Sequence, residues 1–251
     1  MKQITLMVCF LLISISASAQ IISQYVETDS GTSPKGLEIW NNTNAAIDFS
    51  VDNLFIEKGT NGATPGLDFT IDSGVLQPNE VLIVGTIDMQ PAAVANNVLF
   101  YEKNFTYNGD DALVVKLGTT ITDVFGTPDT DPGNSWEANG VDTRNQNITL
   151  LDGITTGELV GFTDPSLRFE TVSSTPSDIA NGGLDGFGVA PGNMASTGFE
   201  LQLLHYSDVD GNEESALDAV DEFSALVDFF QNDPNYVNNT LTVTSGDLII
   251  P

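Results

Sequence analysis

The clearest candidate for metal chemistry is a run of oxygen-bearing side chains near the C-terminal end of the chain. Asp208, Asp210 and Asn212 alternate with other residues, and Glu214 follows two positions later. Calcium loops supply carboxylate and amide oxygens from alternate positions in this way. The run departs from the EF-hand pattern, because its sixth position is Glu213, where that loop has glycine. We therefore expect either a distorted calcium site or a plain acidic turn that leads into a helix.

Asp129 and Asp131 form a second candidate calcium pair, in a long polar loop over residues 126–140. Further carboxylates stand side by side at Asp110 and Asp111. A glycosidase needs two carboxyl groups that face each other across the substrate, about 5–9.5 Å apart. A chain this rich in acidic residues places carboxylates next to each other by chance. We therefore predict a protein that is not an enzyme, with calcium as its candidate cofactor.

His205 is the only histidine of the chain, and Leu204 and Tyr206 flank it as in a strand. A single histidine excludes a multi-histidine metal site, and a Ser-His-Asp triad would have to use this residue. The sequence contains no Gly-x-Ser-x-Gly elbow and no Gly-x-x-x-x-Gly-Lys phosphate loop. We interpret His205 as a structural residue and predict no catalytic residue.

The charge balance excludes one class of partner. The 251 residues include 35 acidic and 7 basic side chains, for a formal net charge of −28. Nucleic-acid binding requires clustered cations that release counterions from phosphates, and an anionic membrane surface attracts the same cations. We therefore expect no direct contact with nucleic acid. The acidity is compatible with calcium binding and also with solubility at high salt.

The first nineteen residues have the pattern of a secretory signal peptide. Lys2 gives the positive start, residues 4–15 are mostly apolar, and Ala17-Ser18-Ala19 is a small-residue cleavage site before Gln20. The apolar run is shorter than a membrane-spanning helix, so we expect no membrane span. Cys9, the only cysteine, lies inside this segment, so the mature chain would form no disulfide. The pattern predicts a secreted or cell-surface protein of bacterial type.

Between residues 21 and 151 the sequence alternates between short apolar segments and turn residues. Ile22, Gln24 and Val26 share one face of a strand, and residues 81–84 form an apolar run typical of a strand buried on both faces. Residues 112–117 and 120–125 flank a two-residue Gly-Thr link that fits a tight hairpin. No helical periodicity is visible here. We predict an all-β domain, an antiparallel sandwich or barrel.

The pattern changes after residue 206, which ends a predicted strand over residues 199–206. Apolar residues recur at helical spacing over residues 214–230, and Asn212 is placed to cap the start of that helix. Two short strands are predicted at residues 240–243 and 248–250. The chain therefore divides into a signal peptide (residues 1–19), a β domain (20–192) and an acidic C-terminal extension (193–251).

Several motifs appear in the order known from one domain family. They are Lys35-Gly36-Leu37-Glu38-Ile39-Trp40-Asn41-Asn42-Thr43, Leu76-Gln77-Pro78-Asn79-Glu80-Val81, Tyr107-Asn108-Gly109-Asp110-Asp111-Ala112-Leu113, Thr122-Asp123-Val124-Phe125-Gly126 and Leu184-Asp185-Gly186-Phe187-Gly188. Together they resemble the lamin tail domain, and residues 107–113 are the sharpest match. Asn79 stands where the family usually has glycine, and the basic residues that follow Arg144 in the family are mostly absent. The resemblance covers residues 21–191.

The resemblance implies an immunoglobulin-like antiparallel β-sandwich that acts as a binding or anchoring module outside the cell. Its partner would be a protein or a cell-surface polysaccharide. Bacterial copies of this domain accompany secreted hydrolases, so an accessory part of a hydrolase system is one alternative. A calcium-dependent carbohydrate-binding module is another, and it would use exposed Trp40 and Trp136 as stacking platforms.

The last residues carry a weaker resemblance. Residues 233–243, with Asp233-Pro234-Asn235-Tyr236 at their start, resemble the beginning of the sorting tail of the type IX secretion route. The usual Tyr-Pro-Asn-Pro order of that tail is disturbed here. A sorting tail would agree with the export that the N-terminal segment predicts.

Overall fold

The computed structural model of the chain describes residues 20–192, 202–207, 225, 227–229 and 240–245. The chain forms two compact units, Met1–Met194 and Ala195–Pro251. The described residues lie mostly in β-strands, so the fold is all-β, as the sequence predicts. In this part of the chain, no helix has the length and apolar character needed to cross a membrane.

The first unit contains a six-stranded and a four-stranded sheet. Along the six-stranded sheet the strands are β14 (Phe169–Ser173), β13 (Asn147–Leu150), β1 (Gln20–Glu27), β2 (Lys35–Asn41), β7 (Val81–Gly85) and β8 (Leu99–Glu102). Along the four-stranded sheet they are β10 (Thr120–Phe125), β9 (Ala112–Leu117), β4 (Leu54–Gly59) and β5 (Gly66–Ile71). Two small ribbons pair β3 (Ile47–Asp48) with β6 (Val75–Leu76) and β11 (Glu137–Ala138) with β12 (Val141–Asp142).

Two predicted features of this unit are confirmed. β9 and β10 are joined by Gly118 and Thr119 in a tight antiparallel hairpin, and Gly118 has the positive φ of 56° that such a link requires. β7 is buried along its whole length, as its unbroken apolar sequence predicts. It is covered on one face by the main core and on the other by a smaller apolar cluster.

Residues 21–151 contain one α-helix that the sequence, with no helical periodicity there, does not reveal. Helix α1 (Gln90–Asn96) connects β7 to β8, which run parallel. A parallel neighbour needs a crossover connection, and α1 supplies it. Only Ala93 of this short helix is buried, so its sequence shows no apolar periodicity. The other pairings in the two large sheets are antiparallel.

One continuous core fills the space between the two large sheets. Leu37 and Ile39 of the six-stranded sheet and Ile56 and Val115 of the four-stranded sheet belong to it, and all of them are fully buried. Tyr25 stacks on Phe125 with ring centroids 4.3 Å apart, which joins β1 to β10. Burying both sheets' inner faces in one core fixes the strand register, because a one-residue slip would turn every apolar side chain outward.

The second unit contains a parallel strand pair, β15 (Gln202–Ser207) and β16 (Thr240–Ser245). Both lie where the sequence predicts strands, and β15 contains His205. Residue 225 and residues 227–229 are helical, inside the predicted 214–230 helix. The other residues of that helix and the predicted strand at 248–250 lie outside the described part of the chain.

Candidate functional site

A groove of about 590 Å³ lies at one end of the six-stranded sheet, where several of its strands begin or finish. It is lined by residues 31–33 with Lys35, by residues 86–88 and by residues 104–106. This volume falls in the range of about 300–1,000 Å³ that is usual for ligand sites. None of the three segments stood out in the sequence as a functional motif.

The strand directions explain why these segments meet. β1 finishes at the end of the sheet where β2 begins, because the two strands are antiparallel. β7 is antiparallel to β2 and β8 is parallel to β7, so both of them finish at this same end of the sheet. The connections that leave β1, β7 and β8 therefore converge around the start of β2. Loops at the end of a rigid sheet are a common place for binding residues.

Lys35 forms the fixed wall of the groove. Its ammonium group donates to the Glu27 carboxylate at 3.2 Å and to the Tyr107 carbonyl at 2.5 Å, and it lies 5.8 Å from the centre of the Tyr107 ring. Its backbone N–H donates to the Thr86 hydroxyl at 3.0 Å. These contacts join β1, β2 and the segment after β7, so this side of the groove is already ordered without a ligand.

The electrostatics of this wall depend on partial burial. Burial raises the pKa of Glu27, and the Lys35 ammonium group and the backbone N–H of Asn145 act in the opposite direction. That N–H donates to the second Glu27 carboxylate oxygen at 3.2 Å. Glu27 and Lys35 thus satisfy each other inside the wall, and their charges largely cancel toward the groove.

The open side of the groove is lined mainly by exposed polar residues. Thr32, Asn104 and Thr106 are exposed, and Ile87 is exposed over 53% of its surface. Asp88 is half-buried, and one of its carboxylate oxygens is buried without a hydrogen bond in the described part of the chain. Because that oxygen is shielded from solvent, it is not an acceptor that a ligand in the groove can reach.

The lining of the groove suits binding of a polar ligand. It combines hydroxyl groups, one amide, the Asp88 carboxylate and one exposed apolar side chain, and it includes neither histidine nor cysteine. Hydroxyl and amide groups both donate and accept hydrogen bonds, so they can match a peptide backbone or the hydroxyls of a sugar.

The structure places the predicted calcium pair in an exposed loop beside a buried acidic turn. Asp129 accepts a hydrogen bond from the Thr64 hydroxyl at 2.6 Å, and Asp131 accepts one from the Gly133 N–H at 2.7 Å. Asp131 also lies near Asp110, whose pKa is raised by burial and by the neighbouring carboxylates. These bonds account for one oxygen of each aspartate: Asp131 is bonded within its own turn, and Asp129 is bonded to a residue 65 positions away.

Among the described residues, no group of three or more His, Cys, Asp or Glu side chains is arranged to hold a metal ion. A calcium ion at Asp129 and Asp131 would therefore depend on carbonyl, amide and water oxygens for most of its ligands. The other predicted set, Asp208, Asp210, Asn212 and Glu214, lies outside the described residues. Calcium binding at either place stays a prediction.

Asp123 has a structural role that its motif did not reveal. Its carboxylate accepts hydrogen bonds from the backbone N–H groups of Ile22 at 2.8 Å and Glu158 at 2.7 Å, and from Arg168 at 3.2 and 3.3 Å. Burial raises the pKa of Asp123 to about 6, and the Arg168 guanidinium group opposes that rise. The carboxylate is thus ionised at neutral pH and joins β1, β10 and the segment before β14.

Both tryptophans that the carbohydrate-binding alternative would use are buried. Trp40 is 5% exposed and donates through its indole N–H to the Asn79 side chain at 3.1 Å. Trp136 is 3% exposed and packs against Gly126, where an added Cβ would lie 2.5 Å from the ring. A stacking platform needs an exposed ring face, and neither residue offers one.

Comparisons with protein-family models, with curated proteins and with solved structures found no match to this chain. The resemblance to the lamin tail domain therefore stays a prediction that depends on the sequence motifs. In its sharpest motif, Tyr107 and Asp111 are buried, and Asp111 accepts hydrogen bonds from the backbone N–H groups of Asn61 and Asn108. These contacts give the motif a role in the turn that precedes β9.

Sequence reasoning missed the groove, although one signal in the sequence pointed toward it. Lys35 is one of only 7 basic residues in a chain with 35 acidic ones, and it precedes an apolar strand. A rare cation at the start of a buried strand favours a specific carboxylate partner. The convergence of residues 31–33, 86–88 and 104–106 had no such signal, because it depends on strand order.

Proposed function

We propose that this chain is a secreted, non-catalytic binding or anchoring module that acts at the cell exterior. The observation that carries the proposal is the groove at the end of the six-stranded sheet. Three loops line it, one wall is fixed by the Lys35–Glu27 pair, and the lining includes the exposed side chains of Thr32 and Asn104. An ordered wall lowers the entropic cost of binding, because fewer side chains must be immobilised.

We further propose that the two large sheets form an immunoglobulin-like sandwich of the lamin-tail type. Their shared core supports this, since two mainly antiparallel sheets that bury one common core are the basis of that architecture. The position of the sharpest motif in the turn before β9 also supports it. The parallel α1 crossover between β7 and β8 would be an addition to the simple sandwich.

The partner we propose is a surface protein or a surface polysaccharide, bound through a polar segment that donates hydrogen bonds. The exposed hydroxyl of Thr32 and the exposed amide of Asn104 favour such a ligand, because both groups can accept hydrogen bonds. The strong negative charge of the chain disfavours anionic polymers and agrees with a neutral or cationic partner.

The test measures binding of the labelled mature protein to cells or outer-surface preparations of the source organism. Asn104→Trp places a large ring in the groove, and we expect it to weaken binding at least tenfold. Asn134→Trp makes the same change at an exposed position of the 126–140 loop and should leave binding unchanged. Equal binding by both variants and the unmodified protein would contradict the groove as the site.

Two treatments of the surface distinguish the classes of partner. Protease digestion should abolish binding if the partner is a protein, and periodate oxidation should abolish it if the partner is a polysaccharide. If the protein binds neither untreated cells nor untreated outer-surface preparations at concentrations up to about 1 mM, the proposed function is contradicted. A dissociation constant of about 1 mM corresponds to only about 4 kcal/mol of binding free energy.

A further inference from the structure

The outer face of the six-stranded sheet is covered by residues 182–190, which we call the strap. The strap follows β14 and contributes no strand to either sheet. Its backbone carbonyls at Gly183 and Asp185 accept hydrogen bonds from Asn147 of β13 at 3.2 and 3.0 Å, and Gln24 of β1 donates to the Asp185 carbonyl at 2.7 Å. The strap is thus attached through buried amide side chains rather than through strand pairing.

Apolar side chains seal the strap against the sheet. Leu184 and Phe187 are buried in a small cluster with Val26 of β1, Ile83 of β7 and Met89. This cluster is separate from the main core, because Val26 and Ile83 point to the opposite face of the sheet from their neighbours in the core. Ala190, at the end of the strap, belongs to the main core, so opening of residues 182–189 would expose this apolar patch and leave the main core intact.

Glu38 of β2 lies beneath the strap and is 1% exposed. One of its carboxylate oxygens accepts a hydrogen bond from the Ser23 hydroxyl at 2.7 Å, and the other accepts one from the Gly188 N–H at 2.6 Å. Burial raises the pKa of Glu38 to about 8, and these hydrogen bonds only partly oppose the rise. A buried carboxylate with no cation beside it is costly when ionised.

The charged groups on the surrounding elements do not neutralise Glu38. Asp185 on the strap is exposed and lies beside Gly182, and Asp88 precedes Met89 in the groove. Glu27 and Lys35, at the far ends of β1 and β2, pair with each other. None of these groups is a cause of the raised pKa. Beyond its hydrogen bonds to Ser23 and the strap backbone, an ionised Glu38 can be stabilised further only by water, which the strap excludes.

We propose that the strap is a pH-gated cover, which opens locally from the sheet when Glu38 ionises and exposes the apolar patch of Val26, Ile83 and Met89. Opening is local because residues 182–189 of the strap are held by side-chain hydrogen bonds and two apolar residues, whereas β1, β2 and β7 are held by full ladders. The device would expose an apolar surface in neutral and alkaline surroundings and hide it in acid.

The sign of the effect follows from linkage. In the open state Glu38 regains a pKa near its ordinary 4.5, whereas in the closed state it is about 8. The equilibrium constant for closing is therefore highest below pH 4.5. It falls about tenfold per pH unit between pH 4.5 and pH 8 and is constant above pH 8. The total change is on the order of 3,000-fold.

The experiment is hydrogen exchange of the mature protein between pH 5 and 9.5, corrected for the intrinsic pH dependence of exchange. We expect the opening constant of the Gly188 and Val189 amides to rise about tenfold per unit up to pH 8 and then to level off. Glu38→Gln keeps the shape of the side chain without its charge, so its opening constant should be independent of pH. Glu102→Gln removes an exposed carboxylate of β8 and should behave as the unmodified protein.

A second variant keeps the test decisive if Glu38→Gln does not fold. Phe187→Ala weakens the apolar seal without touching Glu38, so it should raise the opening constant at every pH and keep the slope. Two results would overturn the proposal: a slope in Glu38→Gln equal to that of the unmodified protein, or strap amides that exchange at the same rate as those of Val114 and Val115 in the centre of β9. The second result would mean that opening is global.

Discussion

Arg168 and Asp123 form an ion pair that lies almost completely inside the fold. Their side chains are 10% and 2% exposed, and Asp123 also accepts hydrogen bonds from the backbone of two other segments. Removing one partner of such a pair leaves an uncompensated buried charge, at a cost of about 3–5 kcal/mol. We expect Arg168→Met to lower the free energy of unfolding by that amount, measured by urea denaturation at pH 7.5, where Asp123 is ionised.

Arg144→Met is the matched control for this change. Arg144 lies 3.9 Å from Asp142, and its side chain is 44% exposed, so the pair is screened by water. Exposed pairs contribute about 0–1 kcal/mol. If the two arginine variants lost equal stability, the Asp123–Arg168 pair would not have the structural role described here.

At the scale of elements, one buried tyrosine side chain helps to attach the segment before β9 to the six-stranded sheet. Tyr107 is fully buried, and its hydroxyl lies 2.9 Å from the carbonyl oxygens of both Val26 in β1 and Gly36 in β2. Removing the hydroxyl leaves a buried acceptor without its donor, which costs about 1–3 kcal/mol. We therefore expect Tyr107→Phe to lower the urea midpoint at an unchanged m-value.

Tyr101→Phe tests whether the position of the hydroxyl, and not its mere loss, causes that effect. The Tyr101 hydroxyl donates to the Ser73 carbonyl at 2.6 Å near the surface, where water can replace it. This variant should lose less than about 1 kcal/mol. A larger loss in Tyr101→Phe than in Tyr107→Phe would contradict the role of Tyr107 as the link between the sheets.

Elements whose signal is local in the sequence could be predicted. The Gly118 hairpin and the apolar strand β7 follow from turn chemistry and from unbroken apolar sequence, and both are present. Helix α1 could not be predicted, because it is short and buries only Ala93. The parallel pairing of β7 and β8 was missed for the same reason, since it depends on that helix as a crossover.

The functional features depend on contacts between distant residues, which the sequence alone does not show. Asp123 belongs to a recognised motif, but its partner Arg168 is 45 residues away. Glu38 alternates with apolar residues as if it faced solvent, yet the strap, about 150 residues later, covers it. The groove likewise depends on strand order. Such features appear only once the sheet topology is known.

At the scale of the whole molecule, the formal charge of −28 makes the compact state repel itself. Cations that screen or bridge carboxylates should relieve this repulsion, so we expect the melting temperature to rise with salt. A bound calcium ion would act at millimolar concentration and would add about 2.7 kcal/mol at a hundred times its dissociation constant. Melting curves in calcium, in sodium at matched ionic strength and in chelator separate the two effects.

Substitutions locate any calcium effect. Loss of the calcium shift in Asp208→Ala with Asp210→Ala would place the ion at the C-terminal run, and loss in Asp129→Ala with Asp131→Ala would place it in the 126–140 loop. If calcium has no effect beyond that of matched sodium, the metal prediction is wrong. If neither cation raises the melting temperature, the acidity serves solubility alone.

The central claim, that the chain binds a partner through the groove, is tested most directly by hydrogen-exchange footprinting. The mature protein is compared free and bound to an outer-surface preparation of its source organism. We predict that backbone amides in residues 31–35, 86–88 and 104–106 become protected on binding, while those of the 126–140 loop keep their exchange rates. Protection elsewhere in the first unit, with the groove amides unchanged, would contradict the account.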